Sequence, residues 1–211
     1  MRNFKLLLSL FIALSAGLNT TAQEKDPARL TLDRIYNSGE FNTDRARSIS
    51  WINNGDAFVT IENENGNDQL IKYESKSNDR SIFLSAAALT PEGTNQALNV
   101  ADFSLSNDES KILIFTNTSR VWRSNTKGDY WVYDLDTQKI KQLGTQLPAS
   151  SLMFAKFSDS NENVAYVSGF NLYEENFKTG EVTQLTKDGD GAIINGTFDW
   201  VYEEEFGARD G

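Results

Sequence analysis

The sequence predicts an all-β fold: a partial β-propeller of about three four-stranded blades and the start of a fourth, preceded by a signal peptide. Segments such as 57–61, 111–115 and 164–167 place β-branched and aromatic residues between polar turns, as strands do. No segment beyond the first 22 residues shows a long helical period with capping residues. Repeated motifs with the spacing of propeller blades are the second observation behind this prediction.

Two short motifs define the repeat. Phe-Ser-Leu-Ser-Asn at 103–107 returns as Phe-Ser-Asp-Ser-Asn at 157–161, 54 residues later. Thr-Gln-Lys-Ile-Lys-Gln-Leu at 137–143 returns as Thr-Gly-Glu-Val-Thr-Gln-Leu at 179–185, 42 residues later, and a weaker copy begins at Ser50. Such spacings indicate blades, with chance similarity inside a β-sandwich as the alternative. The predicted blades span 46–98, 99–150 and 151–190.

Two insertions interrupt the repeat. The second blade holds about twelve more residues than the third, near 116–129. The other insertion, 191–211, follows the third blade and contains Asp-Trp-Val-Tyr-Glu-Glu-Glu-Phe at 199–206. In an up-and-down blade, the turn between the second and third strands lies at the same end as the connection to the next blade. Both insertions are therefore predicted to decorate one face, where binding residues commonly lie.

The N-terminus has the pattern of a secretory signal peptide, predicted to span 1–22. Two basic residues precede an apolar stretch at 6–18, and small residues end at Ala22. The apolar stretch is too short to span a membrane comfortably, so no membrane anchor is expected; a buried core helix is the alternative. Residues 23–45 would lead into the first blade. An exported protein without cysteine fits a bacterial periplasm or exterior.

The composition excludes several kinds of chemistry. A formal net charge of −10 argues against nucleic acid as a partner, because phosphate contacts need clustered basic residues. The chain has no histidine and no cysteine, so it can form neither a Ser-His nor a Cys-His nucleophile, nor the usual zinc ligand sets. We therefore expect no catalytic residue, no metal and no cofactor in this chain, which should be inactive by itself.

Three adjacent acids, Glu203, Glu204 and Glu205, repel one another unless a cation lies near. The flanking Trp200 and Phe206 would draw part of this run out of bulk water, where a carboxylate needs an ammonium or guanidinium partner. In a strand, Glu204 and Glu205 would point to opposite faces, so acting as a pair requires a helical turn or a bulge. A solvated acidic patch is the alternative.

Arg123 lies in the first insertion, next to Trp122. Its planar fork of donors suits carbonyl or carboxylate oxygens, and an exposed arginine stacked on Trp122 is the alternative. A cluster of carboxylates facing this arginine would bind a peptide-like ligand, with glutamate on the amino terminus and Arg123 on a backbone carbonyl.

These segments resemble a known family. The octapeptide at 199–206 is similar to the double-glutamate motif of the dipeptidyl peptidase IV family. Val-Trp-Arg at 121–123, followed by Tyr-Trp-Val-Tyr-Asp-Leu at 130–135, resembles the blade that carries the family's substrate arginine. The resemblance extends over about 30–211 in the order of motifs and intervening blades.

The resemblance implies roles for individual residues. Glu204 and Glu205 would hold the free α-amine of a peptide substrate, and Arg123 would contact the carbonyl of the penultimate residue. Glu203, the first acid of the run, is expected to contribute little.

The resemblance also implies an activity for a longer protein: a secreted serine peptidase that releases N-terminal dipeptides, often after Pro or Ala. Its triad would lie on an α/β-hydrolase domain, and neither a Gly-x-Ser-x-Gly elbow nor a histidine occurs here. The expected partners are peptides with a free N-terminus and the missing C-terminal hydrolase domain, with a homodimer of the full-length protein left open. The alternatives are a non-catalytic propeller module for peptides or glycans, and a related exopeptidase that releases tripeptides or single residues.

Export predicts a mature N-terminus at Gln23. We expect protein recovered from the cell envelope to begin at this residue, because the small residues before it suit cleavage of a signal peptide. Mass spectrometry of the intact protein measures its N-terminus. A cytoplasmic species that retains Met1 would contradict the prediction.

Overall fold

The computed structural model describes residues 28–43 and 47–208, and the predicted signal peptide lies outside them. The chain divides into two compact units, the first of which ends at Arg45. In that unit, helix α1 (Leu32–Tyr36) is capped by the hydroxyl of Thr31, which accepts a backbone N–H from the first turn at 3.2 Å. The predicted lead-in segment therefore contains one short capped helix.

The second unit is built of short antiparallel strands. The first four are β1 (Ile49–Ile52), β2 (Ala57–Glu64), β3 (Asn67–Glu74) and β4 (Arg80–Leu84). The next four are β5 (Val100–Leu105), β6 (Lys111–Val121), β7 (Ser124–Asp134) and β8 (Lys139–Gln142). The last four are β9 (Leu152–Phe157), β10 (Asn163–Ser168), β11 (Asn171–Asn176) and β12 (Val182–Gln184), followed by helix α2 (Trp200–Glu204). The all-β prediction is confirmed, and each predicted blade contains four strands.

Strands β1 to β4 form one sheet in chain order. The other eight strands form a second sheet, in which β5, β6, β7, β9, β10, β11 and β12 follow one another and β8 pairs with β7. Within the described residues, no helix is long and apolar enough to cross a membrane.

The second and third predicted blades are joined into one sheet by pairing between β7 and β9. Strands β6 and β7 are each 11 residues long, against 6 for their counterparts β10 and β11 in the third blade. The additional residues thus lengthen both strands of the β6–β7 hairpin instead of forming a loop. The first half of β7 extends past β8 and pairs with β9 through Lys127 with Met153 and Gly128 with Leu152. We call the outer part of this hairpin, residues 117–128, the arm.

Strand β6 contributes to two apolar cores. Ile112 and Ile114 pack in a cluster with the first sheet, which includes Val59 and Leu70. Leu113 packs in a second cluster with the third group of strands. Successive side chains of a strand point to opposite faces, so the continuous apolar run of β6 follows from burial on both sides. This strand therefore ties the arm to the core of the unit.

A recurring hydrogen bond holds each blade to the segment that follows it. On the third strand of each blade, a side-chain oxygen accepts the backbone N–H of a residue in the connection to the next blade or at its end. The three pairs are Asp68 Oδ2 with Val100 N at 2.9 Å, Asp129 Oδ1 with Ser150 N at 2.6 Å, and Asn171 Oδ1 with Gly189 N at 3.0 Å. We call these pairs clasps. In the first and third blades, the turn between the second and third strands therefore lies beside the connection to the next blade.

The first clasp is the most buried. The Asp68 side chain is only 4% exposed, and it also accepts hydrogen bonds from Arg47 at 2.7 Å and from Asn63 at 3.0 Å. Burial alone would raise the pKa of this carboxyl, but the hydrogen bonds from Arg47, Asn63 and the Val100 N–H outweigh it and hold the pKa below its usual value. The ionised form is therefore the one that stabilises the fold.

Removing this carboxylate should release the backbone that it holds. In the full-length protein, we expect Asp68→Ala to speed amide hydrogen exchange at Val100 by about 10- to 100-fold, because a buried N–H loses a charged acceptor. Because the pKa is lowered, the protection of Val100 should be complete above about pH 4 and should fall as the pH drops through the folded pKa. Asp136→Ala, at an exposed acid, is the control; equal exchange in both variants would contradict the prediction.

Candidate functional site

The arm is fixed at its base by the second clasp. Asn117, in the left-handed region with φ of 49°, lies where the register between β6 and β7 shifts. Its side-chain amide donates to Asp129 Oδ2 at 2.8 Å and to Ser150 Oγ at 2.6 Å, and that hydroxyl donates back to the Asn117 carbonyl at 2.9 Å. The irregularity at the root of the arm is thus tied to the connection between the second and third blades.

Gly128 allows the two strands of the arm to pack at its base. A Cβ atom added there would lie 2.6 Å from both the Phe115 ring and the Thr116 carbonyl oxygen. The Phe115 ring stacks on Tyr130 with centroids 4.6 Å apart, so it has little room to move. A larger residue at this position would displace the arm where it joins β9.

The tip of the arm is a two-residue turn that presents Arg123. Val121 pairs with Ser124, and the turn between them consists of Trp122 and Arg123. Trp122 has φ of 58°, in the left-handed region that a two-residue hairpin turn requires of its first central residue. Arg120 Nε donates to the Trp122 carbonyl at 3.0 Å and supports this turn. The Arg123 side chain is 69% exposed.

The second insertion is fastened to the β10–β11 turn. A Cβ atom added to Gly189 would lie 2.1 Å from the Phe170 carbonyl oxygen, and one added to Gly196 would lie 2.6 Å from a Val167 methyl group. Both the backbone N–H and the side-chain amide of Asn195 donate to the same Phe170 oxygen at 3.1 Å. The insertion therefore runs against the third blade at close backbone distance.

Helix α2 begins directly after this fastened segment. The Asp199 carboxylate caps it by accepting the N–H groups of Val201 at 2.9 Å and Tyr202 at 3.1 Å. Just before the cap, Phe198 packs on Phe154 of β9 with ring centroids 5.3 Å apart. The three glutamates thus lie on a helical turn, one of the two conformations that the sequence required for a carboxylate pair.

The helical turn directs the three acids differently, since successive helical residues point about 100° apart. Glu204 pairs with Arg123, with 3.0 Å between Oε1 and Nε, and its side chain is 27% exposed. Glu205 ends the helix and is exposed; its side chain has no hydrogen bond or ion pair with any residue in 28–43 or 47–208. The structure therefore brings Arg123 and Glu204 together and leaves Glu205 beside them, open to solvent.

Glu203 is buried, which the sequence did not indicate. It is only 3% exposed, and its Oε1 accepts a hydrogen bond from Ser124 Oγ at 3.2 Å. It lines a cavity of about 240 Å³ whose other walls include Trp122, Phe154 and Phe198. Asp199 and Ser124 are further contributors that sequence reasoning missed; only an Asp before an apolar run could have signalled the helix cap.

The site combines an exposed guanidinium with exposed and half-exposed carboxylates at the meeting point of the two insertions. Because the Arg123 side chain is 69% exposed, its guanidinium can also donate to carbonyl or carboxylate oxygens of a ligand. In the part of the chain that the structure describes, no group of three or more acids is arranged to hold a metal ion. The arrangement suits a ligand that carries both an ammonium group and a carbonyl oxygen.

The sequence is similar to that of a known protein family and to two fungal proteins. The model of the family described as the dipeptidyl peptidase IV N-terminal region matches residues 106–211. The "Probable dipeptidyl-aminopeptidase B" of Podospora anserina is 30% identical over 190 residues, which cover 84% of this chain and 20% of the fungal protein. That of Penicillium rubens is 29% identical over 209 residues, which cover 92% and 23% of the two chains. The chain spans about a fifth of the length of these relatives.

A solved structure has a similar fold. The crystal structure of dipeptidyl peptidase 4 from Porphyromonas gingivalis superposes with a TM-score of 0.72 at 25% sequence identity. The match covers 86% of this chain and 25% of that protein. The fold of this chain therefore corresponds to part of a much longer protein.

The cap of helix α2 can be tested by a matched pair of substitutions. Asp199→Ala removes the acceptor of two backbone N–H groups, which costs about 1 kcal/mol for a typical cap. We therefore expect amide exchange in the peptide 199–208 of the full-length protein to become about fivefold faster. Asp199→Asn should exchange at nearly the wild-type rate, because asparagine caps a helix about as well as aspartate. If the Ala and Asn variants behave alike, the carboxylate does not hold the helix.

Proposed function

The chain belongs to the dipeptidyl peptidase IV family, whose N-terminal region it matches, and on this premise we propose that it forms the substrate-binding part of a serine-type dipeptidyl peptidase. The catalytic triad would come from a hydrolase domain outside these 211 residues, because the chain contains no histidine. In this proposal, the propeller portion selects peptides with a free N-terminus and presents them to that domain.

The contact between Arg123 and Glu204, with Glu205 exposed beside it, carries the proposal. A substrate ammonium bound by Glu204 and Glu205 would relieve the repulsion between the two carboxylates. The terminal nitrogens of Arg123 would donate to the carbonyl oxygen of the penultimate residue of the substrate. Each of these bonds has a charged partner, so they are stronger than bonds between neutral groups.

Holding the amine at a fixed position would also determine which peptide bond of the substrate is cleaved. With the N-terminus held at the site, only the bond that follows the second residue reaches a nucleophile at a fixed position, and internal peptide bonds are excluded. Both insertions start at blade ends that are held by clasps. The scaffold can therefore hold the substrate amine at a fixed distance from the nucleophile. Dipeptide release, often after Pro or Ala, is the specificity that this geometry favours.

Substitution of the site residues tests the amine anchor. In the full-length enzyme, we expect Glu204→Ala and Glu205→Ala to lower kcat/KM for an unblocked Ala-Pro amide by at least about 30-fold, because each removes a charged contact to the ammonium. Arg123→Ala should lower kcat/KM as well, since it removes a donor to the substrate carbonyl. Glu162→Ala, at an exposed acid in the turn between β9 and β10, is the control and should match the wild type. Wild-type values for both glutamate variants would end the proposal.

Blocking the substrate amine tests the same site from the other side. We expect N-acetyl-Ala-Pro amide to be refused by the wild-type enzyme, because acetylation removes the positive charge that the carboxylates bind. Turnover of the blocked and free amides is measured under the same conditions. Equal turnover of the two amides would point to a peptidase that does not recognise the charged α-amine of its substrate.

A further inference from the structure

Two neighbouring cross-links join the tip of the arm to helix α2. Arg123 contacts Glu204 at the surface, and Ser124 contacts Glu203 beneath it. The two pairs use consecutive residues on each side, Arg123 and Ser124 in the arm and Glu203 and Glu204 in the helix. Ser124 and Glu203 are 79 positions apart in the chain. The outer pair is ionic and exposed, whereas the inner bond is part-buried, with Glu203 only 3% exposed.

A single exposed ion pair would leave the helix poorly oriented. Exposed pairs contribute little and are screened by salt, and a helix of five residues is too short to be stable without tertiary contacts. A second contact, about 100° around the helix from the first, removes the freedom to rotate about the pair. The inner bond therefore decides how the outer acids are aimed.

The surroundings of Glu203 make the inner bond difficult to break. Together with Trp122, Phe154 and Phe198, Glu203 lines a cavity, and only 3% of the residue is exposed. Turning away from Ser124 would cost this carboxylate a hydrogen bond that bulk water could not readily replace, because Glu203 is buried. An apolar side chain could fill the same space, but it could not accept a hydrogen bond from the Ser124 hydroxyl.

We propose that Glu203 is a positioning residue, which fixes the rotation of helix α2 through Ser124 and thereby sets where Glu204 and Glu205 present their carboxylates. It does not touch the substrate. Its effect on turnover rests on the proposed function, whereas its effect on the helix does not. The expectation from sequence that Glu203 contributes little is replaced by this assignment.

The orientation of the helix can be measured without turnover. In the full-length protein, we expect Glu203→Ala to speed amide exchange in the peptide 199–208 by about 10-fold, because it removes the buried acceptor. Glu203→Gln keeps an acceptor oxygen and nearly the same shape, so it should stay within about threefold of the wild type. Ser124→Ala should also speed exchange, because it removes a donor to that carboxylate, and Glu162→Ala is again the control. Unchanged protection in Glu203→Ala would overturn the proposal.

Activity measurements separate positioning from direct binding. We expect Glu203→Ala to lower kcat/KM for the unblocked Ala-Pro amide by about 10-fold, but to add little in a Glu204→Ala background, because residues that act through one another are not additive. Glu203→Gln should restore most of the activity. An inactive Glu203→Gln enzyme with a protected helix would mean that the charge of Glu203 acts directly, which overturns the assignment.

The two proposals fail in different ways. If Glu204→Ala and Glu205→Ala keep wild-type activity, the amine anchor is wrong. The exchange rates of the Glu203 variants still decide whether Glu203 orients the helix. If instead the anchor variants lose activity and Glu203→Ala keeps both activity and protection, only the positioning role is wrong.

Discussion

The hydrogen bond from each inter-blade connection to the third strand of the preceding blade is the contact on which the site depends. Asp68, Asp129 and Asn171 each accept a backbone N–H at the end where both insertions start. Without these bonds, the backbone N–H groups of the connecting segments would need water as their acceptor, and the segments would be held less firmly. The second of these bonds lies at the root of the arm, and the third lies just before the helical insertion, so they hold the ends from which both insertions extend.

Much of the fold follows from local patterns in the sequence. Alternating and continuous apolar runs, such as the one in β6, predict the strands because their side chains must be buried on one or two faces. The two unequal repeat spacings predict where the arm is inserted. The pairing of β7 with β9 was not predictable, because it depends on how far the hairpin extends beyond β8, and spacing alone does not distinguish a loop from longer strands.

The candidate site was predictable in its members but not in its arrangement. Arg123, Glu204 and Glu205 stand out by residue type and by their aromatic neighbours. Three identical acids in a row carry no information on which of them is buried, since that is decided by the direction of each side chain on a short helix. Five helical residues are also too few to produce a detectable period. The burial of Glu203 is therefore a tertiary property, set by the cavity beneath the arm.

The pairing of β7 with β9 has a consequence for biosynthesis. Lys127 and Gly128 leave the ribosome about 25 residues before their partners Met153 and Leu152, a delay of roughly 1–5 s at ordinary translation rates. During this interval, the outer half of β7 is an open strand edge, which is the kind of surface on which nascent chains associate. Its sequence, Ser-Asn-Thr-Lys-Gly, is polar and includes a lysine, a composition that discourages such association until β9 arrives.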